Sequence, residues 1–238
     1  MKIAIDLILL VIIILSVWAG YKKGLIMGIG GMVAIIVSLY AGCLLSTAFS
    51  YELIPVARPF ASGYVERQMK NSVLDSLGLA DTELSVDDVL AQDPEKQHEF
   101  CFYCYRAMGI YKDAAEQMAT EAEKYADENG TDIASAVVEV LCARVTYVAG
   151  VVLFFLVILI TLTAIGNIPN LSFKIPNMDI LNDAGGAVMG LIKGITFCVL
   201  LCWALRFAGI FIGKDTLEHT LLARFFIAID FITMGIGI

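Results

Sequence analysis

Residues 3–48 read IAIDLILLVIIILSVWAGYKKGLIMGIGGMVAIIVSLYAGCLLSTA, and their reading decides the fold. Residues 3–20 and 25–48 are apolar runs whose only charge is Asp6. Each is close to the roughly 20 residues that carry an α-helix across about 30 Å of hydrocarbon. Between them lies Gly20-Tyr21-Lys22-Lys23-Gly24, a short basic joint bounded by glycines. So short a connection forces its helices to be antiparallel neighbours, which predicts a transmembrane helical hairpin. The first run is an anchor rather than a leader. Its apolar core is long, and Lys22 and Lys23 follow it without a small-x-small cleavage site.

The whole chain agrees. Of 238 residues, 59% are hydrophobic and 17% charged, and the mean hydropathy is +0.80. A soluble domain is nearer 45–50% apolar and about 25% charged. That excludes a plain soluble enzyme and a disordered tail. A net charge of -8 argues against a nucleic-acid partner. The charge is also partitioned. Residues 49–143 hold 7 Lys and Arg against 18 Asp and Glu, a net of -11, and the remainder carries +3. An acidic, water-soluble segment is inserted into a mildly basic, apolar framework.

Two more runs, residues 145–165 and 184–213, are long enough to span, the latter carrying Lys193 and Arg206. Ile168-Pro169 and Ile175-Pro176 break the helix between them and predict an interfacial loop. The expected architecture is therefore an all-α integral membrane protein with four transmembrane helices in two hairpins plus a helical soluble insertion. Its parts are a first hairpin at 1–48, the insertion at 49–143, a second hairpin at 144–213 and an amphipathic interfacial segment at 214–238. In that last segment Leu221, Leu222, Phe225, Phe226 and Ile229 fall at helical spacing. Within the insertion, residues 113–127 are strong helix formers. Pro94 suits a helix start, Asn129-Gly130 a helix end, and Thr131-Asp132 the cap of a helix that runs on into the third span.

Four spans put both termini and the insertion on one face. Lys22, Lys23 and Lys174 lie on the other, with Lys193 near it. Positive residues in short loops favour the cytoplasm, so the insertion and both termini are expected outside.

Glycines are the clearest motif. Gly186, Gly190 and Gly194 recur every fourth residue and share one helix face, and Gly24 and Gly28 mark the second run. In lipid, small residues permit the close backbone approach that holds helices together, within a bundle or across a dimer seam. Gly24-Leu25-Ile26-Met27-Gly28 and Gly190-Leu191-Ile192-Lys193-Gly194 match in four of five positions, a weak internal repeat. Lys193 and Arg206 can each snorkel to an interface. Alternatively Arg206 pairs with Asp6 inside the bundle, because both lie toward the same face. Cys101-Phe-Tyr-Cys104 is a C-x-x-C pair with His98 one turn earlier, but no βαβ pattern surrounds it and no fourth zinc ligand is offered. No Walker loop and no His-Glu-x-x-His occurs. No catalytic residue, cofactor or metal is expected.

Asp6-Leu-Ile-Leu-Leu, Gly20-Tyr21-Lys22-Lys23-Gly24-Leu25 and Leu181-Asn182-Asp183-Ala184-Gly185-Gly186 through Gly194 together resemble the colicin V production protein (CvpA) family. The resemblance covers residues 3–55 and 145–225. It implies a small bacterial inner-membrane protein of about four spans without an enzymatic site. The implied role is in peptide toxin (bacteriocin) production and secretion, or in envelope homeostasis. The acidic insertion departs from the family's shorter connection, and Asp183 stands where a basic residue is frequent. The implied partners are the lipid bilayer, the protein itself through its glycine-rich helices, and envelope or export proteins through the insertion. Two other classes stand beside this: a small transporter or channel using Asp6 and Arg206, and a membrane-tethered thiol oxidoreductase using Cys101 and Cys104.

Overall fold

The computed structural model describes residues 2–68, 94–167, 179–207, 217 and 219–229. The described elements are α1 (Lys2–Gln68), α2 (Pro94–Ala107), α3 (Lys112–Asn129), α4 (Ile133–Asn167), α5 (Asp179–Leu205) and α6 (Leu221–Ala228). Among the described residues there is no strand. The chain is an all-α membrane protein. Among the described residues three helices are long and apolar enough to cross a bilayer: Ile3–Arg67, Ile133–Gly166 and Asp179–Leu205. The expected interfacial loop falls on residues outside those described.

Two compact units emerge, each with its own core. The first comprises residues 1–46, 150–205 and 216–238, and the second residues 47–149 and 206–215.

In the first unit α1 is broken at Gly24, whose φ of 78° and ψ of 175° are not helical. A side chain would be strained at that φ, so glycine is required. The break exposes the Leu25 N–H, which donates to Asn182 Oδ1 at 3.0 Å. Contacts on either side show that the chain turns back there. Going backward from Gly24, Gly20 lies on Gly186 and Gly190, and Ser16 and Ile13 on Gly194. Going forward, Gly28 lies on Met189 and Gly31 under Lys193. Both arms of α1 therefore run along neighbouring faces of α5, and they are antiparallel to each other. The forward arm also lies antiparallel to α4, with Gly42 against the Phe155 backbone and Ser46 against Gly150. Phe155 meets Phe197 edge to face at 6.0 Å, joining α4 to α5.

Large apolar side chains including Leu7, Leu10, Ile14, Val33, Ile36 and Ile160 remain exposed on this unit. Such a surface is expected where the solvent is lipid, because burying it against protein gains nothing over lipid tails.

The structure moves two expected boundaries. The second run does not stop at residue 48 but continues as helix to Gln68, through Pro55 and Pro59. Both prolines are exposed, and their spacing of four sets the carbonyls they free on one side of the helix. The last long run begins at Asp179, five residues before the expected start, and is described to Leu205.

The second unit is a soluble-type helical domain. The end of α1, α2, α3 and the first part of α4 enclose Val65, Phe100, Tyr105, Met118 and Val137. The Tyr105 hydroxyl donates to the Val137 carbonyl at 3.1 Å. Gly109 and Gly130 take left-handed φ values of 85° and 62° and end α2 and α3. Asp132 accepts the Ser135 N–H at 2.9 Å, the expected cap of α4. A hydrogen bond from the Ser135 hydroxyl, and next this one from its N–H, hold the Asp132 carboxyl below its usual range. Helix α4 then runs unbroken through 35 residues, as the sequence predicts. Arg144 grips both oxygens of Glu121, and Arg58 pairs with Glu139.

His98 ties α2 to α3. Its Nδ1 meets Glu123 and its Nε2 meets Glu116, each at 3.0 Å. The Glu123 hydrogen bond raises its pKa, burial opposes this, and Glu116 adds to the rise. A raised histidine pKa stabilises the fold fully below about pH 6.5, and the gain is lost as pH rises through the folded value. The domain's denaturation midpoint, followed by circular dichroism, is expected to fall between pH 6 and pH 8.5. In His98→Gln this fall should flatten; an unchanged profile would refute the linkage.

Candidate functional site

The glycine face of α5 does two things. First, it brings α1 into backbone contact. A Cβ on Gly20 would lie on the Gly186 carbonyl oxygen and 2.7 Å from Gly190 Cα. A Cβ on Gly28 would lie 2.7 Å from Met189 Cβ. Gly24, Gly28, Gly186, Gly190 and Gly194 are thus used inside the bundle. A Cβ on Gly194 would lie 3.1 Å from Ser16 Cβ, closer than ordinary contact.

Second, the same shortage of side chains leaves a cleft of about 340 Å3. Both arms of α1, the end of α4 and α5 all contribute to its wall. Lys23 and Lys193 line it, together with Ser16 and Thr163, on a floor of Gly20, Gly28, Gly30 and Gly31. Lys193 is half-buried and Lys23 exposed. The Lys193 ammonium lies over Gly31, where a Cβ would be 3.4 Å away, and 5.9 Å from the Phe197 ring centroid. Lys22 turns away to stack on Trp18 at 3.9 Å. Tyr21 is exposed beside it.

Asp6 has a role that the sequence did not suggest. Its carboxylate accepts the N–H groups of Leu221 and Leu222 at 3.3 and 3.0 Å. Helix α6 lacks a side-chain cap of its own, since Thr220 turns its hydroxyl to the Leu217 carbonyl. A carboxylate supplied from α1 therefore satisfies the helix start and faces its dipole. Asp6→Ala is expected to cost about 1 kcal/mol and to free α6, read as faster amide exchange at residues 221–228 with α5 unaffected. Arg206 lies in the other unit, where its carbonyl accepts from the Tyr111 N–H at 3.0 Å. Its guanidinium sits 6.0 Å from the Tyr111 ring. Helix α6 turns Ala223, Phe226 and Ile227 inward and leaves Leu221, Phe225 and Ile229 exposed. The apolar stripe is therefore divided between two faces.

Cys101 and Cys104 are free thiols, 0% and 1% exposed. Burial pushes the Cys101 thiol well up and the Cys104 thiol to about 12. A redox-active pair needs an accessible thiol of lowered pKa, and this one has the opposite setting. His98 is engaged by its two glutamates rather than turned to the cysteines. Among the described residues no group of three His, Cys, Asp or Glu is placed to hold a metal ion.

Sequence reasoning missed the Gly42–Ser46 seam on α4, the Asn182 cap and the cleft. Small residues four apart at 42 and 46 were a readable signal for the first. The other two needed the relative placement of three helices.

A family model for the colicin V production protein matches residues 110–230. The chain belongs to the colicin V production protein family. The family match takes in α3 to α6. Residues 110–143, expected to depart from the colicin V production family, lie inside the match, and the first hairpin lies outside it. No curated protein and no solved structure matches the chain.

Proposed function

We propose that the protein is a non-enzymatic accessory of the bacterial inner membrane that serves peptide toxin production or secretion, or envelope maintenance more broadly. The observation that carries this reading is the family match over residues 110–230. The glycine-packed bundle supports a scaffold, because Asp6 and Asn182 are spent on satisfying backbone N–H groups. The acidic domain supports a contact surface for export or envelope proteins. Asp113, Glu116, Asp127 and Glu128 are exposed along α3 beside Lys112 and Lys124, and an excess of one charge steers partners of the other.

The proposed topology has the insertion and both termini outside. Glu128→Cys, on an exposed site, reports it through a membrane-impermeant maleimide applied to intact cells. Buried Cys101 and Cys104 should stay unlabelled until the domain is denatured. Labelling only after lysis would place the domain in the cytoplasm.

The function is tested in a toxin-secreting strain from which the gene is deleted. The inhibition halo on indicator cells, or resistance to detergent stress, should fall and return with the wild-type chain. Replacement of the four exposed α3 carboxylates by Gln should fail to restore it. An unchanged halo together with unchanged envelope resistance in the deletion would refute the proposal.

A further inference from the structure

The cleft in the bundle is lined by two lysines and by apolar side chains. Lys23 stands next to the Gly24 corner, at the end of the hairpin, and Lys193 reaches in over Gly31. Leu15, Ala34 and Leu162 line the wall farther from the corner. Among the described residues no carboxylate lies within 4.0 Å of either lysine nitrogen. Two ammonium groups facing one cavity repel, and the low dielectric of a membrane bundle strengthens that repulsion. An anion placed between them turns this cost into attraction, and a phosphate also accepts hydrogen bonds from lysine and hydroxyl donors. The glycine floor keeps the cavity open where other residues would fill it. Its volume of about 340 Å3 exceeds what a lone phosphate needs, and lies within the range of small-ligand sites.

We propose that this cleft binds the phosphate headgroup of an anionic membrane lipid, with Lys23 and Lys193 holding the phosphate and the apolar wall taking part of an alkyl chain. The site does not depend on the accessory role proposed above. A failed secretion assay and a failed lipid titration are separate results.

The test titrates the purified full chain, in a neutral maltoside detergent, with dioctanoyl phosphatidic acid, dioctanoyl phosphatidylcholine or inorganic phosphate. Saturable binding of phosphatidic acid is expected, at least tenfold tighter than either alternative. Lys23→Gln combined with Lys193→Gln should weaken it tenfold or more, whereas Lys22→Gln, off the cleft, should leave it unchanged. Gly30 lines the cleft, and a Cβ added there would meet nothing within 4 Å, so Gly30→Leu should block binding by filling the space. Lys23 is exposed, so Lys23→Gln alone serves if the double variant loses its helical circular dichroism. Equal binding of inorganic phosphate would overturn the lipid assignment. Absence of saturable binding, or binding indifferent to Lys23 and Gly30, would overturn the site.

Discussion

Gly190→Ala is expected to destabilise the bundle sharply, as a methyl at Gly20 or Gly186 in the same seam also would. The new Cβ would fall on the Ser16 carbonyl oxygen, 3.0 Å from Val17 Cα and 3.1 Å from Gly20 Cα. All three are backbone atoms, which cannot rotate aside as the tip of a side chain can. The two helices must separate, and the close contacts that hold them in lipid weaken together. Overpacking of this kind costs about 3 kcal/mol, more than the roughly 1 kcal/mol that alanine gains over glycine in a helix. Gly30→Ala is the matched control, because nothing lies within 4 Å of its added carbon. It should keep or slightly raise the thermal midpoint in mild detergent, while Gly190→Ala lowers it sharply. Equal midpoints for the two variants would mean that α1 and α5 do not meet along this face.

Phe100→Ala should have the second-largest effect, confined to the acidic domain. Phe100 is 0% exposed and sits among Tyr105, Met118 and Val137. Truncating a buried phenylalanine removes its transfer free energy and leaves a cavity, at a cost of about 3–5 kcal/mol. Tyr103, on the same helix but 42% exposed, should lose far less on truncation. Each unit has its own core, so the bundle's thermal transition should hold. Limited digestion with a glutamate-specific protease reads the difference: rapid cleavage among residues 95–139 in Phe100→Ala, and slow cleavage in Tyr103→Ala.

The legible parts of the fold were those fixed by local chemistry. Apolar runs of membrane length, the Gly130 end of α3, the Asp132 cap and the unbroken passage of α4 all follow from neighbours in the chain. The end of α1 did not, because the acidic composition after residue 48 marks a change of solvent and not a change of backbone. Helix continued where the surroundings turned from lipid toward water. Asp6 was visible as a charge in a span, and its chemistry suggested an ion pair. Its actual partners are two N–H groups more than 200 residues away, which no spacing reveals. Cys101 and Cys104 have a redox spacing, yet reactivity depends on exposure and local charge, and both are set by the packing of α2 against α3 and α4. The glycine seam was legible as a face; that it also frames a cleft depended on which helices meet there.

The bundle depends on the reversal of α1 at Gly24, which brings both of its arms onto α5. Leu10 and Val37 lie on opposite arms and are 46% and 48% exposed, so each accepts a spin label. With the native cysteines replaced, electron paramagnetic resonance between labels at Leu10→Cys and Val37→Cys measures the separation directly. Two packed antiparallel helices, with axes about 8–10 Å apart, predict a label distance of about 15–25 Å. A straight helix rising 1.5 Å per residue would put the same positions about 40 Å apart, and that distance would contradict the hairpin and the cleft built upon it.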